Sequence, residues 1–501
     1  MNQATMQNVF GFFFSKKVLL FVLALTGFVF VLSMWHRFIY IDDCWHGEEA
    51  YWLANEGVVK TKSMQGILGF ENKVMVYHKL NVLIGALVIK LFGWSVYYLK
   101  LITLFFYSFY FYVLYRFIRR FPVKYDQKHF VLAAFLVFVT PLMVHLGFTF
   151  RPEILAMFFG FLSYFMLEIF LETNQRKWVV FSAIFAGLAF FTHLNAMIFG
   201  IAGFILLAVN RRFAASGIFV VVTLIVSMLY TFDLWAGDNY KIFVYQIENW
   251  PTLKLGKNYF DNNLVDFVVK KGINLLSEHQ RFFWSDKVIV FSVIFFFSVI
   301  IRFKYLVANY KSLFIYTVAL ILSLNVTGSH IAERFMIYYY PFMALIVAVS
   351  INSLLTESGK PFYKFFFVMA IVAQLVLVGV RFQDIFRQND NYPAIHSELS
   401  KQINDPGAKV LAPDRFIFNE IERRPILSYH VWEYYEDIND TKLTQLSALK
   451  LASELGAEYI ILDEEMLSDM RPYFKEGVVN PNPYFGIFKK YDTYLILKRL
   501  P

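Results

Sequence analysis

The sequence predicts an α-helical polytopic membrane protein of about eleven spans, carrying a small α/β domain at its C-terminal end. Three observations predict this. The 501 residues are 58% hydrophobic and 20% aromatic, against about 45–50% apolar in soluble domains. The apolar excess is gathered into runs approaching the roughly 20 residues a helix needs to cross a bilayer. Arginines and lysines sit in the short loops between those runs, where they signal the cytoplasmic side. The net charge of +9 is therefore orientation signalling rather than a nucleic-acid footprint. The single cysteine, Cys44, excludes an internal disulfide and a thiolate metal cage.

The elements follow in order. Lys16-Lys17 precede the first run, about Val18 to Ile41, and place the N-terminus in the cytoplasm. This run is too long for a signal-peptide core and lacks a small-residue cleavage site, so it is read as a retained helix. A first outer loop, 41–79, follows, with a short helix from Glu48 to Glu56 closed by Gly57. Leu80 to Ile118 is too long for one straight span, and Gly93-Trp94 divides it into an interfacial and a spanning helix. Further spans alternate across basic turns at Lys124/Lys128, Arg176-Lys177, Arg211-Arg212 and Arg302/Lys304. A long outer loop covers 237–286, and the last span ends near Val380.

Residues 1–381 are thus expected to form the membrane module and 382–501 an extracytoplasmic α/β domain. In that tail, Lys409–Leu411 and Tyr459–Leu462 read as buried strands, and Thr441–Leu455 as an amphipathic helix closed by Gly456. Phe485–Lys489 and Thr493–Lys498 read as a hairpin.

This topology brings a set of ionisable groups to the outer surface, where such groups are functional candidates. Asp42, Asp43, His46, Glu48 and Glu49 come from the first loop, and His78 from its end. Arg151-Pro152-Glu153 opens one span and His193 joins two others. Glu278, His279 and Arg281 close the long loop; His330, Glu333 and Arg334 open a late span. Several have a purely structural reading. Arg151-Pro152-Glu153 suits a helix start, Glu333-Arg334 a local ion pair, and His193 a hydrogen-bonded core imidazole. Two pairs of adjacent carboxylates in one loop have no obvious structural use. A surface carboxylate serves as a general base or metal ligand, and arginine forks hold phosphate. Sugar transfer from a lipid phosphate needs both.

With these motifs the chain resembles the GT-C superfamily of lipid-linked glycosyltransferases. The similarity is to the bacterial branch akin to protein O-mannosyltransferases and the lipid A aminoarabinose transferase. It rests on Asp42-Asp43 followed by Glu49-Ala50-Tyr51-Trp52-Leu53, on Arg151–Glu153, and on Arg334-Phe335 through Tyr340-Pro341. The family's usual Asp-Glu pair is Asp-Asp here, and its His-Pro-Pro is His78-Lys79-Leu80. The resemblance implies an inverting glycosyltransferase of the cytoplasmic membrane. It would move a sugar from a polyprenyl-phosphate donor to a glycan, lipid or protein acceptor at the outer face. Asp43 is the favoured base, then Asp42, with Glu48 and Glu49 as partners. Arg151, Arg281 and Arg334 are the phosphate binders, and Glu153, His78, His193, Glu278, His279 and Glu333 are further binding candidates. A divalent metal held by the loop carboxylates or Glu278-His279 stays open. The rival class is a secondary transporter or lipid flippase, which would place its charges near the midplane.

Overall fold

The computed structural model describes residues 3–250, 264–328, 331–357, 360–387, 392–403, 405–464, 466, 472–474, 478 and 482–501. His330 lies outside the described residues, as do part of the long loop and the segment after Arg387.

Among the described residues, six helices are long and apolar enough to cross a membrane by length and composition. They are Lys16–His36, Val96–Arg120, Pro152–Thr173, Phe213–Thr231, Ile289–Asn309 and Pro361–Arg387. Four shorter apolar helices, Gln127–Phe138, Leu194–Val209, Lys311–Thr327 and Tyr340–Thr356, fill the bundle. With Arg176–Thr192 these elements fall where the apolar runs predict spans. The third expected span is a pair, because Thr140-Pro141 ends Gln127–Phe138 and starts a second helix, Pro141–Leu146. The Leu80–Ile118 stretch also splits as expected. Lys79–Phe92 stops at Gly93, whose φ of 86° suits a residue without Cβ, and Val96–Arg120 begins after the Ser95 cap.

Two helices form the centre. Pro152–Thr173 is 78% buried over its apolar window, and Tyr340–Thr356 is buried along nearly its whole length. Both start at the same end of the bundle, and both carry charge into that end: Arg151 and Glu153 on the first, Arg334 just ahead of the second. The opposite end gathers Lys124, Glu168, Glu172, Arg211 and Arg212 around one cavity. The basic turns thus share one end and the candidate residues the other.

The first loop departs from expectation. Its helix runs from Ile41 to Glu56 rather than from Glu48. Asp42 and Asp43 therefore occupy the first turn, where carboxylates suit the helix dipole. Asp43 accepts the Tyr40 backbone N–H at 2.9 Å. Gly57, at φ 73°, closes the helix with its N–H on the Leu53 carbonyl.

The tail folds as a small α/β domain. Its strands are β1 (Val410–Ala412), β2 (Ile426–Ser428), β3 (Tyr459–Leu462), β4 (Phe485–Tyr491) and β5 (Tyr494–Arg499). The sheet order is β2-β1-β3-β5-β4. The first three strands are parallel, and β5 joins β3 and β4 antiparallel, with a register shift between Ile487 and Lys489. The expected helix is Gln445–Glu454, capped by Thr444. β2 and helix His430–Asn439 escape the sequence reading. The domain rests on the first loop and on the Gly93-Trp94 break that follows it. Phe418 stacks on Trp94 at 4.7 Å, and the Trp94 indole donates to the Phe418 carbonyl at 3.1 Å. A Cβ at Gly47 would meet the Phe418 ring at 3.0 Å, so the absent side chain allows this close seating.

Candidate active site

Four of the sequence-predicted groups join into one row of alternating charge. Arg151, in extended backbone ahead of Pro152, reaches Asp42 with one guanidinium nitrogen. It grips Glu153 with the other two, at 3.1 and 2.8 Å. Glu153 in turn meets Arg334 at 3.4 Å. The middle of this row is buried and self-neutral. Its two ends are open: the Asp42 side chain is 33% exposed and that of Arg334 38%. A carboxylate and a guanidinium therefore face the surroundings from opposite ends of one braced unit.

Beside the row lie three imidazoles from three separate segments. His78 stacks on His193 at 4.5 Å with a 17° interplanar angle, and His46 meets the edge of His78 at 4.8 Å. The Asn195 backbone N–H donates to His193 Nδ1 at 3.0 Å, and His46 Nδ1 bonds Glu49 at 3.2 Å. Burial alone would depress His46, but its bond to Glu49 and the charges of Glu49 and Asp42 together outweigh this and hold it above the ordinary histidine value. Burial, reinforced by the neighbouring His193 and His46, pushes His78 well below it. The two neighbouring rings are therefore driven in opposite directions, His46 toward and His78 away from the protonated form. Arg281 and Arg334 flank the Phe335 ring at 5.6 and 5.2 Å, and His193 meets the edge of that ring at 5.7 Å.

Asp43, the favoured base, is not available to a substrate. It is fully buried. It accepts the backbone N–H groups of Tyr40 and Phe150, and Lys100 Nζ sits 3.2 Å away. Asp43 locks the first loop to the bundle, and Lys100 donates onward to the Phe38 carbonyl at 2.8 Å. Glu48 faces away from the row; it takes Ser63 N–H at 3.1 Å and the Trp52 indole at 3.0 Å. Glu278 is held by Arg281 at 2.7 Å, while His279 is exposed and bonds the Leu276 carbonyl. Glu333 pairs with Lys287 at 2.6 Å rather than with Arg334. Glu278, His279 and Glu333 thus stay outside the row.

Lys100 and Asp233 were missed. Asp233 binds Lys79 and accepts the Tyr77 hydroxyl at 2.8 Å, which fixes the end of the first loop. Both were legible as lone charges inside or beside apolar runs. Among the described residues, no group of three or more His, Cys, Asp and Glu is placed to hold a metal. The candidate donors fit one poorly, since Asp43 and Glu278 already face protein cations.

Comparisons with known proteins bear on the fold. Residues 81–235 match the family described as Dolichyl-phosphate-mannose-protein mannosyltransferase. ArnT from Cupriavidus metallidurans, solved bound to undecaprenyl phosphate, superposes with a TM-score of 0.60 at 10% identity, over 97% of this chain and 98% of that one. The Archaeoglobus fulgidus oligosaccharyltransferase tethered with an acceptor peptide gives 0.54 at 14% identity, over 98% and 75%. AglB from Archaeoglobus fulgidus, in complex with an inhibitory peptide and a dolichol-phosphate, gives 0.51 at 14%, over 89% and 69%. The chain has the GT-C fold. No curated protein matches it by sequence.

Proposed function

We propose that the chain is an inverting glycosyltransferase that moves a sugar from a polyprenyl-phosphate donor to an acceptor hydroxyl or amine. The observation that carries this is the Asp42–Arg151–Glu153–Arg334 row, with one accessible carboxylate and one accessible anion-binding guanidinium at its ends. The acceptor oxygen or nitrogen attacks the anomeric carbon as the bond to the phosphate oxygen breaks. Asp42 accepts the proton that the nucleophile loses. Arg334 holds the departing phosphate, whose charge rises as the bond opens. Arg151 and Glu153 are positioning residues that hold both ends in place, and His193 faces the same opening beside Phe335. The prenyl product stays in the bilayer.

The row sits at helix ends and in the first loop, not along a mid-span segment, which supports transfer over transport. We place the protein in the cytoplasmic membrane, with its N-terminus inside and residues 382–501 as the extracytoplasmic domain. The gathering of basic turns at the far end supports that orientation.

Asp42→Asn tests the proposal. Turnover of a polyprenyl-phosphate sugar is expected to fall about 10²-fold or more, with donor binding and folding retained. Full turnover in this variant removes Asp42 as the base.

A further inference from the structure

On the face of the first-loop helix turned away from the charged row, a cleft of about 390 Å³ opens against the tail domain. It falls within the usual range of small-molecule sites, about 300–1,000 Å³. Trp52, Glu48, Lys62, Gln65 and Glu71 line it from the loop; Lys409, Arg424 and three isoleucines line it from the tail.

Most of its polar atoms already have partners. Lys409 Nζ donates to Gln65 at 2.9 Å and to the Leu455 carbonyl at 3.0 Å. Lys62 pairs with Glu56 at 3.2 Å and lies 3.7 Å over the Trp52 ring. Glu48 is taken by Ser63 and Trp52. Among the described residues that line the cleft, two buried atoms are left over. Arg424 is only 8% exposed; its Nε binds Glu420 at 3.0 Å and its Nη2 binds Ser400 at 3.1 Å, but its buried Nη1 meets no acceptor. On the loop side, Glu71 Oε2 is buried and meets no donor.

Buried polar atoms are ordinarily bonded to protein, water or ligand, so a molecule that fills the cleft displaces water and becomes the partner of both atoms. That partner must accept a hydrogen bond on the tail side and donate one on the loop side. An anion suits Arg424 but meets Glu48 and Glu71. A cation suits Glu71 but meets Lys409 and Arg424. A sugar hydroxyl both donates and accepts, and a pyranose adds apolar C–H faces for the Trp52 and Ile421 walls. We infer that this cleft is a binding site for a neutral saccharide. Naming that saccharide as part of the acceptor rests on the transferase reading, because the donor's reacting sugar belongs at the Asp42–Arg334 row on the helix's other face.

The test is saturation-transfer NMR on the full chain in phospholipid nanodiscs, free of glycoside detergent. Methyl α-mannoside and methyl β-N-acetylglucosaminide are the probes, with methyl phosphate and choline as charged controls. At least one glycoside is expected to give a signal that falls five-fold or more in Ile421→Trp, which fills the cleft, and in Glu71→Ala, which removes its free acceptor. Methyl phosphate and choline should give none at this site. Asp42→Asn should leave the glycoside signal unchanged. Undiminished signals in both cleft variants, or no glycoside signal in the wild type, would overturn the inference. Loss in Asp42→Asn with retention in Ile421→Trp would assign the sugar to the charged row and overturn it as well. If the wild-type chain turns over no polyprenyl-phosphate sugar, the transferase reading falls while the saccharide result stands by itself.

Discussion

Neutralising Asp43 separates a structural acid from a reacting one. Asp43→Asn keeps the size of the side chain but not its charge. One amide oxygen remains to accept a single N–H from Tyr40 or Phe150, and the new NH2 group turns toward the other donor or toward Lys100. Lys100 is then a buried cation without its counter-ion, and only the Phe38 carbonyl is left to it. Breaking one side of a buried ion pair costs about 3–5 kcal/mol. An unpaired buried N–H adds about 1–3 kcal/mol. We expect Asp43→Asn to lose at least about 3 kcal/mol on that scale, read as a lower melting temperature in nanodiscs and poor expression. Lys100→Met in the same chain should restore part of the loss, because both charges leave together. Asp42→Asn removes a partly exposed carboxylate from an arginine that keeps its Glu153 bonds. Its stability cost is about 1 kcal/mol or less. A stable Asp43→Asn that lacks turnover would refute this reasoning and make Asp43 the base.

Arg334→Ala should weaken binding of undecaprenyl phosphate more than Arg334→Lys, since an ammonium keeps the charge and loses the fork; equal binding in both variants removes Arg334 from the phosphate site. Burial raises the Glu48 carboxyl to about 6, against the pull of its Ser63 and Trp52 bonds. A raised carboxyl means that the folded state binds the extra proton, so stability falls as pH rises from about 4.5 to about 6. Glu48→Gln should therefore melt with the wild type below that window and above it at neutral pH, by about 2 kcal/mol; the same difference at both pH values would contradict the assignment. Cysteines placed at exposed tail positions such as Asp440 or Lys450 should react with an impermeant maleimide on intact cells, Cys44 being buried; labelling only after lysis reverses the proposed orientation.

The bundle was legible because apolar runs, basic turns and helix-breaking prolines are local signals. Strand β3 was legible for the same reason: Tyr459–Leu462 is a short apolar run with a glycine before it. Strand β2 is three residues long and carries no period to detect. The roles of Asp42 and Asp43 were not legible. Adjacent residues on a helix point about 100° apart, so one meets Lys100 in the interior and the other meets Arg151 at the opening. The helix itself was read too short because it is packed on several sides, with Cys44, Gly47, Glu48 and Ala50 all buried, and so shows no clean polar stripe. The histidine group required three segments far apart in sequence, and no spacing rule joins them. The pairing of Glu153 with Arg334, rather than Glu333 with Arg334, is likewise a tertiary fact.

An alternating row of charges has a property that its separate ion pairs lack. Its members compete for one another. An anion that draws Arg334 outward takes away a share of the positive field on Glu153. Glu153 then claims more of Arg151, and Arg151 has less to give Asp42. The far carboxylate is loosened at the moment the near end is filled. On the proposed function, the acid is tethered until the donor phosphate reaches Arg334, and that arrival slackens the tether on the group that meets the acceptor. A row of this kind would order the two substrates through electrostatics.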